Sequence, residues 1–185
     1  PDNGTVEWSF ADWGPKEGKW ANIAPNTPLY KDGKIFFCHG YNINGVMLQL
    51  SDDLKSVSVV WRTDVLDTHH GGYVEVNGTI YGSNWINNNQ GNWCAIDWNT
   101  GAKGYETTWT GGKGKGSIIA ADGMLYCYDE RRGAVALVNP DPAKFDIVSE
   151  FRITKGVGPH WAHPVIVNGV LYIRHGFALM AYKVK

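Results

Sequence analysis

The chain has 185 residues, and its 17 Lys and Arg residues against 18 Asp and Glu give a formal charge of -1. This balance argues against a nucleic-acid or anionic-membrane partner, because both attract clustered positive charge. Hydrophobic residues make up 43% of the chain and 23 residues are glycine, which excludes a disordered chain and favours strands separated by turns. No stretch approaches the ~20 apolar residues that a membrane-spanning helix needs.

A turn followed by an apolar strand recurs four times. Each turn has Asp or Asn before a glycine, and the glycines at 33, 78, 123 and 169 are 45, 45 and 46 residues apart. Asp-Gly and Asn-Gly between β-rich runs predict hairpins with type I′ turns, which need positive φ at both central residues. We expect the first strand of each hairpin at residues 27–30, 72–76, 117–121 and 164–167, with a second strand after each glycine.

Further apolar strands follow each hairpin. Third strands are predicted at 46–50, 93–97, 134–138 and 178–182, and fourth strands at 56–62, 105–109 and 145–153. Four antiparallel strands in ~45 residues is the period of a propeller blade. The sequence therefore predicts an all-β propeller of about four blades and almost no helix. We expect a single domain over residues 1–185, with repeats at 22–67, 68–112, 113–156 and 157–185.

The ends of the repeat array leave two closures open. The last repeat has no fourth strand, and residues 5–10 look like an orphan outer strand. These residues either complete the last blade and close a small ring, or end a blade whose beginning is absent. An open arc of blades exposes an apolar face at each end, so we expect ring closure, a missing half-ring or a second copy to cover both faces.

One blade carries a distinctive motif, formed by Ala95, Asp97, Thr100 and Gly101 and followed by Trp109. It resembles the tryptophan-docking motif of the PQQ-like (quinoprotein alcohol dehydrogenase-like) β-propeller repeats, and the resemblance covers nearly the whole chain. The family implies an eight-bladed ring, of which this chain would be the C-terminal half. A self-closed four-bladed ring is the alternative. The resemblance also implies a bacterial, periplasmic or secreted protein from a subgroup without an established activity.

The histidines are predicted to share one face of the propeller. Because blade strands alternate in direction, first strands begin and second strands end on the same face, where loops on a rigid scaffold concentrate binding groups. All six histidines and several other polar or aromatic residues fall in these loops. We predict a ligand face at the channel mouth formed by His39, His69, His70, His160, His163, His175, Asn84, Trp85, Glu130, Arg131 and Trp161. Structural hydrogen bonding of the histidines to loop carbonyls is the competing interpretation.

Other candidate sites are weaker. Cys38, Cys94 and Cys127 lie far apart in apolar runs, which is typical of buried thiols and not of zinc ligands. We predict no metal site, since His160 and His163 on extended backbone point to opposite sides. Residues 111–116, rich in glycine and lysine, are predicted to be a flexible linker between blades, because no helix follows them to form a phosphate cradle. The amide-rich residues 84–92 suit either carbohydrate contact or simple turns.

These observations favour a binding or scaffold module with its ligand at the histidine-bearing mouth. The resemblance also implies a second possibility, part of a quinoprotein-type dehydrogenase that oxidises an alcohol or sugar with PQQ and Ca²⁺. A third is an envelope assembly scaffold that acts through protein contacts. The catalytic residues are unassigned, and PQQ and Ca²⁺ rest on the resemblance alone. Expected partners are a small molecule, a carbohydrate or a protein.

Overall fold

The computed structural model describes residues 3–12 and 23–184, and in these residues it contains fifteen strands and no helix. The first sheet consists of β1 (Leu29–Lys31), β2 (Lys34–Cys38), β3 (Gly45–Leu50) and β4 (Val57–Thr63), and the second of β5 (Tyr73–Val76), β6 (Thr79–Ser83), β7 (Trp93–Asp97) and β8 (Lys103–Thr107). The third consists of β9 (Gly116–Ala121), β10 (Met124–Asp129), β11 (Ala134–Asn139) and β12 (Asp146–Arg152), and the fourth of β13 (Val165–Val167), β14 (Val170–His175) and β15 (Ala178–Lys183). Every sheet is antiparallel with its strands in sequence order, which confirms the predicted all-β blade pattern. Nothing in the described part of the chain offers a helix that could cross a membrane.

The hairpin turns have the backbone geometry that the sequence predicts. At each turn the Asp or Asn has a φ of 50° or 51°, and the glycine after it has a φ between 73° and 84°. Positive φ at both positions is the mark of a type I′ turn, whose twist matches that of the two strands it joins. The turns are Asp32-Gly33, Asn77-Gly78, Asp122-Gly123 and Asn168-Gly169.

A β-bulge recurs at the same place in the three four-stranded sheets. The register between third and fourth strands shifts between Met47 and Leu48, between Ala95 and Ile96, and between Leu137 and Val138. A bulge bends the outer strand and increases its local twist. The bulged sheets therefore share one blade shape.

Three hydrophobic clusters join successive sheets. In the second sheet, Ile80 and Cys94 face the first sheet, while Tyr81 and Trp93 face the third. This follows from the alternation of side chains along a strand, and it buries both faces of the inner blades. A third cluster, which includes Tyr128 and Leu171, joins the third sheet to the fourth. The other face of the fourth sheet leaves Val165, Val167 and Leu179 exposed in the described structure.

Residues 5–10 do not form the predicted orphan strand, because they have no strand hydrogen bonding in the described structure. Side chains hold this segment against the first sheet instead. Glu7 pairs with Lys55, Arg62 bonds to Asp12, and the Phe10 ring lies 6.3 Å from the ring of Phe37. A strand needs a neighbouring backbone ladder, and here the contacts are made by side chains.

The fourth strand of the second sheet begins earlier than the predicted 105–109. It runs over Lys103–Thr107 because a tight turn ends directly before it. Gly101 N donates to Asp97 O, and Asp97 N donates to Ala102 O, both at 2.9 Å. Trp109 consequently lies two residues beyond the strand.

Candidate functional site

All six histidines lie in or beside the loops at the end of the sheets opposite the type I′ turns. His39 follows β2, and His175 is the last residue of β14. His69 and His70 precede β5, while His160 and His163 precede β13. The same end carries the connections between one blade and the next, which allows side chains of different blades to meet.

A buried ionic group lies at the centre of this end. Glu130 Oε1 is 2.6 Å from Lys115 Nζ, and its Oε2 is 3.1 Å from His70 Nε2. The side chains of Lys115 and Glu130 are only 3% and 10% exposed. Burial alone raises the pKa of Glu130, but hydrogen bonds from His70 and Lys115 and the Lys115 charge hold that pKa below its ordinary value. Glu130 is therefore an ionised acceptor at neutral pH.

Aromatic side chains surround His70. The Trp161 indole, in a residue that is 58% exposed, lies 5.4 Å from the His70 ring, and the His69 ring lies 4.7 Å away. His163 Nε2 is 2.9 Å from His70 O, and Tyr41 Oη is 2.6 Å from His69 Nε2. We call His69, His70, Lys115, Glu130, Trp161 and His163 the mouth cluster.

His69 is held in its neutral form. Burial, followed by the charges of His70 and Lys115, lowers the pKa of His69 to about 4. The neutral ring can accept a hydrogen bond at Nε2 from the Tyr41 hydroxyl. The Tyr41 ring in turn lies 5.0 Å from the ring of Trp85, which extends the aromatic surface to the edge of the cluster.

Three predicted ligand contacts are buried instead. His39, Asn84 and His175 occupy the position six residues after the turn glycine, and all are less than a tenth exposed. Asp129 has the same position in the third repeat and is fully buried. The end of each second strand is covered by a neighbouring sheet or by the loop that enters the blade, so these side chains do not reach a ligand at the surface.

The buried position fastens the loops that enter each blade. Asn84 Nδ2 donates to Val65 O at 3.1 Å, and both ring nitrogens of His175 lie 2.7 Å from backbone carbonyls, those of Lys155 and Gly158. Buried polar groups that meet backbone carbonyls in this way stabilise a loop. The competing structural interpretation therefore describes these residues better than ligand contact does.

His160 also lies apart from the mouth cluster. Its ring stacks on that of His175 with 3.7 Å between centroids, and its Nδ1 meets the Tyr128 hydroxyl. Burial and then the charge of His175 lower the pKa of His160 to about 4. Arg131 is exposed, and its Nη1 donates to Asn89 O at 3.3 Å, on the outer side of the same face.

The tryptophan-docking motif forms a compact turn. Asp97 Oδ1 accepts hydrogen bonds from the backbone nitrogens of Asn99 and Thr100 and from the Thr100 hydroxyl, at 2.8–2.9 Å. A Cβ at Gly101 would lie 2.6 Å from the Trp61 ring. Glycine thus allows Trp61 of the first sheet to lie directly on this turn.

Trp109 makes the equivalent contact with the third sheet. It is buried, its Nε1 donates to Glu150 Oε2 at 2.9 Å, and its ring lies 6.0 Å from that of Phe145. Ala95 is fully buried in the same cluster. These residues join blades and do not face the mouth.

Sequence reasoning missed Lys115, which it placed in a flexible linker. The repeat register contains the missing signal. His70, Lys115 and Trp161 each stand six residues before the last residue of a first strand, which is Val76, Ala121 or Val167. Aligning the repeats at that residue assigns Lys115 to the same position beside the mouth as His70 and Trp161.

Comparisons with known proteins agree with this architecture. No family model and no curated protein matches the chain. Among solved structures, BamB from Moraxella catarrhalis superimposes with a TM-score of 0.64 at 13% identity, over 89% of this chain and 48% of that one. A europium-containing methanol dehydrogenase has a TM-score of 0.56 at 16% identity, over 79% of this chain and 26% of that one. The quinohemoprotein alcohol dehydrogenase ADHIIG from Pseudomonas putida HK5 has a TM-score of 0.53 at 16% identity, over 80% and 28%.

The chain thus has the fold of a PQQ-like β-propeller, and it spans about half the length of the BamB chain and about a quarter of each dehydrogenase. The resemblance seen in the sequence is confirmed at the level of the fold. At these identities the likeness extends to the fold alone.

The described residues do not offer the donor set that the Ca²⁺ of a quinoprotein site would need. Within residues 3–12 and 23–184, no group of three or more His, Cys, Asp or Glu side chains is arranged to hold a metal ion. Glu130, the acid at the mouth, has both oxygens paired with the nitrogens of Lys115 and His70. Calcium prefers six to eight oxygen ligands, and the neighbouring Lys115 ammonium group opposes its binding.

Proposed function

We propose that this chain is a binding and scaffold module with a PQQ-like propeller fold, and that the mouth cluster forms its ligand face. His70, Trp161 and His163 reach the surface there, and the buried Lys115–Glu130 pair supports His70 from below. The supporting observation is the convergence of side chains from three different inter-blade connections on His70. Glu130 links Lys115 to His70, since its two oxygens lie 2.6 Å from Lys115 Nζ and 3.1 Å from His70 Nε2. The Trp161 ring lies 5.4 Å from the His70 ring. Such a group orders the mouth across three blades.

The energetics of the cluster support a binding role over a purely stabilising one. Burying an ammonium and a carboxylate costs several kcal/mol of desolvation per ion, so apolar residues would often stabilise the same place equally well. Trp161 is held against His70 while more than half of the residue remains exposed. An ordered, exposed indole beside polar side chains is typical of residues that dominate binding interfaces.

The proposed ligand stacks on the Trp161 indole and exchanges hydrogen bonds with the histidine rings. A protein side chain, a carbohydrate or a small aromatic compound meets this requirement. The proposal includes export from a bacterial cytoplasm, as the family resemblance implies. Fractionation of the source cells that recovers the full-length protein only in the cytoplasm would contradict that part.

Site-specific photocrosslinking tests the ligand face. A photoreactive phenylalanine analogue replaces Trp161 in one sample and Tyr30, a 66% exposed residue directly before a type I′ turn, in the control. We expect the probe at 161 to capture a specific component of the source cell envelope that the probe at 30 does not. Capture of the same components from both positions, or capture from neither, would count against the mouth cluster as the ligand face.

Reconstitution with PQQ and Ca²⁺ tests the dehydrogenase alternative. Because the donor set does not fit, we expect no quinone absorbance to copurify with the protein and no dye reduction with alcohols or sugars. Stoichiometric uptake of PQQ by the chain would overturn the proposal of a binding module.

A further inference from the structure

A cleft lies between the second and third blades, formed by residues 84–92, which we call the amide-rich loop, and residues 111–116, which we call the glycine-rich loop. Its volume is about 500 Å³, within the size range of small-molecule sites. The amide-rich loop contributes Ile86, Gln90 and Asn92, while Thr108, Thr110, Lys113 and Arg131 complete the lining with Gly91. Two cations and several hydroxyl and amide groups therefore face one cavity, and no carboxylate of the described chain is among its lining residues.

Lys113 occupies a strained backbone position. Its φ is 73°, a left-handed conformation that glycine adopts readily and that lysine rarely does. It stands between Gly112 and Gly114, in a run where glycine is otherwise used freely. A side chain retained at a strained position suggests a role for that side chain. The position therefore favours a functional ammonium group in the cleft.

Arg131 lines the same cleft as Lys113. A Cβ at Gly114 would be 3.4 Å from Arg131 Cβ, so the arginine side chain begins next to the glycine-rich loop. Its Nη1 donates to Asn89 O at 3.3 Å, and within residues 3–12 and 23–184 the other guanidinium donors have no hydrogen bond, which leaves them for a ligand. A planar guanidinium with two parallel donors matches a carboxylate. Asp129 lies behind Gly112 and Gly114 and does not line the cleft.

The amide-rich loop is held rigidly in place. Lys115 Nζ donates to Asn87 O and Asn88 O at 3.0 Å each, and Asn87 Nδ2 donates to Gln90 Oε1 at 2.9 Å. A Cβ at Gly91 would lie 2.0 Å from Asn84 O, so the loop is closely packed against its own base. Preorganisation of this kind lowers the entropic cost of binding.

We propose that this cleft binds an acidic saccharide, with Lys113 and Arg131 pairing with its carboxylate. Gln90, Thr108 and Thr110 hydrogen-bond to the hydroxyl groups of the sugar, and Ile86 contacts its apolar ring face. The cleft is a second site that does not depend on the proposed mouth ligand, because none of its lining residues belongs to the mouth cluster.

Titration of the ¹⁵N-labelled full chain tests this site with three probes. They are trigalacturonate, its fully methyl-esterified form, and acetate or inorganic phosphate at equal concentration. We expect trigalacturonate to shift amide signals in 86–92 and 108–113, and the ester to bind at least about tenfold more weakly because the charge is gone. Equal binding of acid and ester, or no shift at about 1 mM trigalacturonate, would overturn the proposal. Displacement of trigalacturonate by equimolar acetate or phosphate would indicate a simple anion site and would also overturn it.

Variants separate the cleft from a general effect of charge. Lys113→Gly relieves the strained φ, so we expect a melting temperature equal to or above that of the wild type with at least about tenfold weaker binding. Arg131→Gln is an independent second variant. It removes the guanidinium group and keeps the backbone contacts of the residue. Lys183→Gln removes one positive charge from the exposed end of β15 and should leave binding unchanged. Loss of binding in Lys183→Gln, or wild-type binding in both cleft variants, would refute the site. Trp161→Ala should bind trigalacturonate as tightly as the wild type, because Trp161 does not line the cleft. The cleft proposal can therefore hold even if the mouth proposal fails.

Discussion

Replacing Glu130 by glutamine isolates the role of the buried ionic group. Glutamine keeps the shape of the side chain and one acceptor oxygen for Lys115, but it removes the negative charge. Lys115 is 3% exposed, so its ammonium group would then lie in the protein without a counter-charge. Besides the glutamine oxygen, its acceptors are the carbonyl oxygens of Asn87 and Asn88, both at 3.0 Å.

The expected cost follows from the burial of Lys115. Breaking a buried ion pair by removing one partner typically costs 3–5 kcal/mol, and we place Glu130→Gln near the lower end, at about 3 kcal/mol, because the carbonyl acceptors remain. For a chain of this size that corresponds to a fall of roughly 6–12 °C in melting temperature. Since the pKa of Glu130 is held below its ordinary value, its stabilising contribution is present above about pH 4.3 and is lost as the pH falls through the lowered pKa.

Urea unfolding followed by tryptophan fluorescence measures this cost. In the double variant Lys115→Met, Glu130→Gln, both charges are gone, and we expect its stability to return to within about 1 kcal/mol of the wild type. The double-mutant cycle should therefore give a coupling energy of about 2 kcal/mol or more. A loss below about 0.5 kcal/mol for Glu130→Gln, or strict additivity in the cycle, would refute the buried-pair reasoning.

Two further predictions concern the packing of the blades and a buried acid. A Cβ at Gly71 would lie 1.9 Å from Gly116 O, so Gly71→Ala should cost about 3 kcal/mol or more in urea unfolding, against about 1 kcal/mol for Gly123→Ala, where only the φ of 75° is strained. Equal losses in the two variants would contradict the contact. Burial raises the pKa of Asp129 to about 6, so its ionisation should remove stability as the pH rises from about 4 to about 6. Asparagine does not ionise, so the free energy of unfolding of Asp129→Asn should rise by about 2–3 kcal/mol relative to that of the wild type over that interval. A difference in unfolding free energy that does not change with pH would exclude the raised pKa.

Local sequence signals were sufficient to predict the blades. The Asn77-Gly78 turn and its equivalents depend on the φ preferences of two adjacent residues, and the strands beside them depend on short apolar runs. Both signals are independent of the rest of the chain. Strand pairing then follows, because consecutive antiparallel strands have only a short turn to cross. The fold can therefore be predicted from the repeat pattern alone.

The candidate site required information from several blades. Lys115 is buried because Glu130 and the carbonyls of the amide-rich loop surround it, and these belong to different repeats. Asn84 is in a loop as the sequence predicts, but the packing around that loop buries it. Burial of a polar side chain depends on which surfaces meet above it, and the local pattern does not contain that information.

The repeat architecture separates anchoring from display by position. The residue six places after the turn glycine is polar and buried in all four repeats. It fastens a loop or turn at the end of the blade opposite the type I′ turn, as with Asn84 and His175. The residue six places before the end of a first strand differs among the second, third and fourth repeats, where it is His70, Lys115 and Trp161. A requirement for stability is the same in every blade and selects the same kind of residue. A requirement to contact one asymmetric ligand differs from blade to blade. Recognition is therefore expected at this variable position beside the mouth, directly through His70 and Trp161 and indirectly through the buried Lys115, which pairs with Glu130.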